Sequence, residues 1–188
     1  MIDRLARSLA ADPIAPPGDG KRRAAVAAVL RTPTDRTSDA PAVLLMKRAE
    51  RTSDPWSGHI SLPGGGHQES DPTLLATAIR ESREELGLEL ARARVLGSLP
   101  VLSPMSSGPY GIEVTPFVFV VDGPLEPALG PEAAAAFWLP LELAASGHLD
   151  DKFTYPGTGM SYPAWRYEGH TIWGLTWRIL GDLISRGR

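Results

Sequence analysis

The 188-residue chain contains no cysteine. Disulfides, zinc-thiolate centres and thiol nucleophiles are therefore excluded. It also lacks any apolar run approaching the roughly 20 residues that span a bilayer. The N-terminus, Met1-Ile2-Asp3-Arg4-Leu5-Ala6-Arg7, has neither the long apolar middle nor the small-residue cleavage site of a signal peptide. There is no excess of basic residues: the net charge is −3 and the pI is near 5.8, which argues against a nucleic-acid or anionic-membrane partner. The glycine run Gly64-Gly65-Gly66 is not followed by the Gly-Lys-Ser/Thr of a phosphate-binding P-loop. These absences leave a cytoplasmic protein that would hold a small phosphorylated ligand by local cations and metal.

The informative stretch is Arg80-Glu81-Ser82-Arg83-Glu84-Glu85-Leu86-Gly87-Leu88, which follows Leu62-Pro63-Gly64-Gly65-Gly66 by about the length of one helix. At about 100° per residue, Glu81, Glu84 and Glu85 fall on one helical face and repel one another. Leu75, Ile79, Ser82 and Leu86 form a second stripe roughly opposite, the expected buried seam. Three glutamates on a helix are ordinarily a solvated face. Here a glycine turn that admits close backbone approach precedes them, and Asp71-Pro72 supplies an N-cap and a first-turn proline. Together these features point to a site for Mg²⁺ or Mn²⁺, hard cations that take oxygen ligands and substrate phosphates.

The length accommodates one domain with a sizeable core. Residues 2 to 10 read as a short helix and residues 11 to 20 as a proline- and glycine-rich linker, so that residues 1–21 form an arm and residues 22–188 a single domain. Strands are predicted at 24–30 and 42–46, joined across a polar turn as a hairpin, and at 95–99, 113–121 and 135–139. The acidic helix is predicted over 73–86 with Gly87 ending it, a helical turn over 141–145, a hairpin or irregular strands over 154–167, and an amphipathic helix over 172–184. Such an order implies an α/β fold with a central mixed sheet sandwiched by helices.

The segment Gly65 to Leu88 resembles the box of the Nudix hydrolase family, in which a glycine, five residues, a glutamate and seven residues lead to Arg-Glu-aliphatic-any-Glu-Glu-any-Gly-aliphatic. Arg80, Glu81, Glu84, Glu85, Gly87 and Leu88 match. Asp71 stands at the first glutamate, or Glu69 serves instead; eight residues separate Asp71 from Arg80, and Ser82 replaces an aliphatic residue. The resemblance implies a Nudix-type α/β/α sandwich. Leu44 to Arg48, Ser57 to Gly65 and Ile172 to Thr176 look like the branch that hydrolyses coenzyme A and its thioesters, although that branch usually has histidine at Trp56 and phenylalanine at Leu62.

The likeness implies metal-dependent hydrolysis of a diphosphate in a nucleoside diphosphate derivative. Coenzyme A or an acyl-CoA is the first expectation; ADP-ribose, dinucleoside polyphosphates, NADH and oxidised nucleotides are alternatives, as is a nucleotide-binding module without turnover. By likeness Glu84 and Glu85 are the main metal ligands with the Gly64 carbonyl, and Glu81 adds a ligand or acts as general base. Arg80 would orient a neighbouring glutamate; as a mere surface pair with Glu84 it would be worth only about 0.3 to 0.5 kcal/mol. Asp122 and Glu113, at the two ends of a strand, are candidates for an extra acid. Arg48, His59 and Trp56 are candidates for substrate contact, and Trp138, Trp165, Trp173 and Trp177 are assigned to core or interface. Family members are often homodimers, and no interface signature is visible.

Overall fold

In a computed structural model, residues 1–9, 22–32, 41–52, 56–103 and 111–188 are described. The linker and the turn expected between the first two strands lie outside them. A seven-stranded mixed sheet is built on β1 (Arg22–Arg31) and β6 (Ile112–Val121), which run parallel in register from Arg22↔Ile112 to Arg31↔Val121. Both strands read as near-continuous apolar runs because both faces of this pair are covered. Ala28, Leu30, Val118 and Val120 point into one core; Ala25, Ala27, Val29, Phe117 and Phe119 point into the other.

β2 (Ala42–Arg48) pairs antiparallel with β1, as the hairpin expectation required, through Leu30↔Val43 and Arg31↔Ala42. Past those pairs β3 (Ile60–Ser61) lies against the far end of β2, and β4 (Gly64–Gly66) pairs with the start of β1 through Ala24, Ala25 and Val26. The end of β2, the residues before β3 and the three glycines are thus brought to the same end of the sheet. β5 (Arg94–Ser98) pairs with β6, and β7 (Ala133–Pro140) pairs with the whole length of β2.

One core is covered by α2 (Leu74–Leu86). The other takes in residues of α1 (Ile2–Ser8), α3 (Leu141–Ala145) and α4 (Gly174–Gly187), with Leu5 and Ile179 among its buried members. A separate three-stranded antiparallel sheet, β8 (Asp150–Thr154), β9 (Ser161–Tyr167) and β10 (His170–Trp173), leads into α4. Its two-residue turn has positive φ at both Glu168 and Gly169, the twist that suits a tight hairpin. Ile172 and Trp173, expected in the closing helix, are strand residues, and the helix begins at the turn-permissive Gly174 (φ 63°).

Two expectations for α2 need correction. Thr73, not Asp71, is the N-cap: its Oγ1 accepts from the Ala76 N–H at 3.1 Å. Nor are all the acids on a face away from the packing. The buried residues are Leu74, Thr77, Ala78, Ser82, Glu85 and Leu86, so Glu85 borders the seam that meets the sheet. Ser82 is fully buried and satisfies its hydroxyl locally, donating to the Ala78 carbonyl at 2.7 Å, which explains how a polar residue stands on that seam.

Candidate active site

α2 lies against β4 so closely that the helix and the glycines share their polar groups. The Gly64 N–H donates to Glu85 Oε2 at 2.8 Å, and Arg80 Nη2 donates to the Gly66 carbonyl at 3.0 Å. Between them a Cβ on Gly65 would stand 2.6 to 2.8 Å from the Glu81 carboxylate. Gly64 has φ +152° and a Cβ there would meet the Ala25 carbonyl oxygen. Glycine is thus required at two successive positions for two reasons, one in the backbone and one in the site.

Arg80 is the hub. Its Nε and Nη2 each donate to Asp71 at 2.9 Å, while Nη1 donates to Glu81 at 2.7 Å and to Glu84 at 3.1 Å. Asp71 is buried and also accepts from the Gln68 N–H at 3.0 Å and from Thr77 Oγ1 at 2.9 Å. The fork of donors from Arg80, above all, holds the Asp71 carboxyl well below the usual carboxylate range. Asp71 therefore fills the first acidic position of the pattern, while Glu69 is exposed. The extra residue between Asp71 and Arg80 leaves this two-pronged pair intact.

The glutamates differ sharply in environment. Glu84 has a half-exposed side chain and that of Glu81 is 15% exposed, whereas Glu85 is only 2% exposed. Burial pushes the Glu85 carboxyl up to about 7, and the nearby charges of Glu81 and Glu132 act in the same direction; the Gly64 N–H and Arg48, at 3.9 Å, oppose them. Burial likewise raises Glu81, against the pull of Arg80. Several carboxylates thus surround a buried acid whose charge is incompletely neutralised.

The comparisons with known proteins identify a family. A family model described as the NUDIX domain covers residues 21–156, including the glycines and all of α2. The chain belongs to the Nudix hydrolase family. Curated Nudix relatives include NudL of Photorhabdus laumondii, 35% identical over 76% of each chain, and NudL of Yersinia pestis, 34% identical over 78% of this chain and 72% of the relative. Among solved Nudix structures, RenU of M. smegmatis superposes with a TM-score of 0.54 at 22% identity, over 72% of this chain and 81% of that one. A C. elegans Ap4A hydrolase gives 0.52 at 20% identity, over 66% and 84%.

The remaining expected residues of this Nudix chain fall in different places. Arg48 closes β2 opposite His59, whose carbonyl accepts the Arg48 N–H at 3.0 Å, and the Arg48 guanidinium lies 3.9 Å from Glu85. Trp56 is exposed in the preceding turn. Glu113 sits in register with Arg23, 4.0 Å from its guanidinium, at the glycine end of β1. Asp122 follows Val121 at the other end of that ladder, six residues beyond Pro116, the partner of the last glycine-paired residue Val26, or about 20 Å of strand. The structure does not bring Asp122 to the site.

Glu132, which the sequence reading did not single out, lies near enough to Glu81 and Glu85 to raise both. It immediately precedes β7, its carbonyl accepts the Ala49 N–H at 2.8 Å, and its carboxylate receives Arg51 Nη1 at 3.3 Å. Only the pairing of β7 with β2 delivers it there. Two clefts of about 430 Å³ border Trp177 and contain none of these acids; the chemistry of the side chains, not cavity size, locates the site.

The donor set fits a divalent cation in kind. Glu81, Glu84 and Glu85 offer hard oxygen ligands, and the buried Glu85 charge would be better balanced by a cation than by one N–H and a distant guanidinium. Among the described residues no three acidic or histidine side chains are arranged to grip a metal as they stand. Arg80 Nη1 lies on both Glu81 and Glu84, so a cation must compete with that contact.

Proposed function

We propose that this Nudix hydrolase cleaves the diphosphate of a nucleoside diphosphate derivative with Mg²⁺ or Mn²⁺, and that coenzyme A or an acyl-CoA is its preferred substrate. Glu84 and Glu85, with the Gly64 carbonyl, would hold the cation. When bound, the cation supplies charge neutralisation on the diphosphate and acidifies a water. Glu81, made more basic by its burial, accepts the proton of the attacking water, and Arg80, clamped by Asp71, fixes its orientation. Arg48, 3.9 Å from Glu85, would hold a phosphate that approaches that acid.

The observation that carries the substrate reading is the meeting of three distant segments beside the acids. Arg48 bonds the His59 carbonyl, the His59 ring packs edge-on against Trp173 with centroids 5.1 Å apart, and Thr176 Oγ1 donates to the Ile60 carbonyl at 3.0 Å. These are the segments whose wording is similar to the coenzyme A branch. A burial of Glu85 this complete disfavours a mere binding module, because a protein that only binds has no use for a charge so expensive to desolvate.

The test offers purified protein coenzyme A, ADP-ribose, diadenosine polyphosphates, NADH and oxidised nucleoside triphosphates with either metal, and identifies products by mass. Coenzyme A should be turned over with the highest kcat/KM. Turnover confined to nucleoside triphosphates would remove the coenzyme A assignment, and no turnover at all would remove the hydrolase reading.

A further inference from the structure

The three-stranded sheet carries large rings on the wrong side for a simple surface. Its register pairs Ile172 with Trp165 and Trp165 with Asp150, and this set supplies the buried face: Trp165 and Ile172 belong to the core. The alternate set places Phe153 opposite Tyr162 and Trp173 opposite Ala164, so these rings share the opposite face. They form one cluster: Phe153 stacks on Trp173 at 4.1 Å, and Tyr155 and Tyr162 each lie 5.9 Å from Trp173. Tyr155 is 39% exposed. Trp173, expected to be a core or interface residue, is the centre of an outward-facing aromatic surface.

That surface continues toward the acids. The His59 ring touches Trp173, and His59 stands directly opposite Arg48 across the β2–β3 ladder, one step beyond the pair Lys47↔Ile60. Opposed residues of an antiparallel pair project to the same face with Cβ atoms about 5 Å apart. Arg48 in turn faces Glu85. A run of side chains, Tyr155 to Trp173 to His59 to Arg48 to Glu85, therefore passes from an exposed ring through half-buried ones and a cation to the carboxylates.

We propose that the aromatic face of β8–β10 is the nucleobase subsite, on which the base stacks while the attached diphosphate reaches Arg48 and the acids. This rests on the function proposed above and extends it by naming where the base lies. A ring presented to solvent and linked to a phosphate-holding arginine suits a planar base carrying a phosphorylated sugar.

Binding is measured apart from turnover. Adenosine monophosphate and ribose 5-phosphate, which differ in the base, are titrated calorimetrically against the full chain and against Tyr155→Ala, Tyr155→Phe and Tyr162→Ala, each shown by circular dichroism and thermal melting to be folded. Tyr155→Ala should weaken adenosine monophosphate by about 5- to 150-fold, the span that stacking one base contributes. Tyr155→Phe should bind it as the parent does, and ribose 5-phosphate should not distinguish the proteins. KM for coenzyme A should rise by more than kcat falls. The proposal is overturned if the parent binds no adenosine monophosphate, or if both alanine variants keep its affinity within twofold, including the case in which they instead dissociate a dimer. Tyr155-dependent binding in a protein that cleaves nothing would retain the subsite and remove the hydrolase reading; coenzyme A cleavage with an unaltered KM in Tyr155→Ala would do the reverse.

Discussion

Replacing Asp71 with asparagine tests the hub on which the site is built. The carboxylate has a side chain only 5% exposed and receives four hydrogen bonds, two of them from the Arg80 guanidinium. Asparagine keeps the shape but turns an NH₂ toward one of these donors and leaves the Arg80 charge without its principal partner. Breaking a buried pair in this way costs about 3 to 5 kcal/mol, which for a chain of this size is a fall in Tm of about 6 to 20 °C. The pH dependence has a definite sign. The folded-state carboxyl lies below its ordinary value of 3.8, so the stabilisation is complete above that value and is withdrawn as pH falls toward the folded-state value. Thermal melts of parent and Asp71→Asn from pH 8 to pH 2.5 should therefore run a constant interval apart down to about pH 5 and converge below pH 4. A Tm within 2 °C of the parent at pH 7, or an interval that persists undiminished at pH 3, would refute this account of Asp71.

Gly65→Ala should fold, since the atoms nearest its Cβ belong to the movable Glu81 carboxylate, but displacing that group should lower kcat about 100-fold; a kcat within twofold of the parent would contradict the placing of Glu81. Gly64→Ala, whose Cβ would meet the Ala25 backbone, should by contrast yield little soluble protein, and a normal yield and Tm would refute the close-approach argument. Glu132→Gln should leave Tm within about 2 °C, because its ion pair with Arg51 is exposed, while raising the metal concentration needed for half-maximal rate; an unchanged metal dependence would remove Glu132 from the site. Ser82→Ala should change stability by less than about 1 kcal/mol, the net worth of one hydrogen bond, and a larger loss on denaturant unfolding would show that the serine has a further role.

The sheet was legible where periodicity carries the information. β1, β6 and α2 announce themselves by apolar runs and helical spacing. What sequence did not reveal depends on contacts between distant segments. Thr73 rather than Asp71 caps α2 because Asp71 is drawn to Arg80 nine positions on, a competition that capping rules do not include. Glu85 is buried because β4 offers it an N–H from Gly64, which no helical wheel shows. Glu132 carries no local motif and reaches the acids only through the β2–β7 pairing, while Trp173 looks like any other tryptophan until the register of β8–β10 turns it outward. The box itself was readable because its chemistry is packed into one helix and one turn.

The proposed role of the α2 carboxylates in metal-dependent hydrolysis of a nucleoside diphosphate derivative is tested most directly at Glu84. Its side chain is 52% exposed and its contact is with Arg80 at 3.1 Å, so Glu84→Gln should shift the metal-free Tm by no more than about 2 °C. Coenzyme A incubated with Mn²⁺ and the parent protein should give 4′-phosphopantetheine and adenosine 3′,5′-bisphosphate by mass, and with Glu84→Gln neither product above the protein-free control. Equal product from both proteins, or a collapse of the metal-free Tm in the variant, would contradict the account.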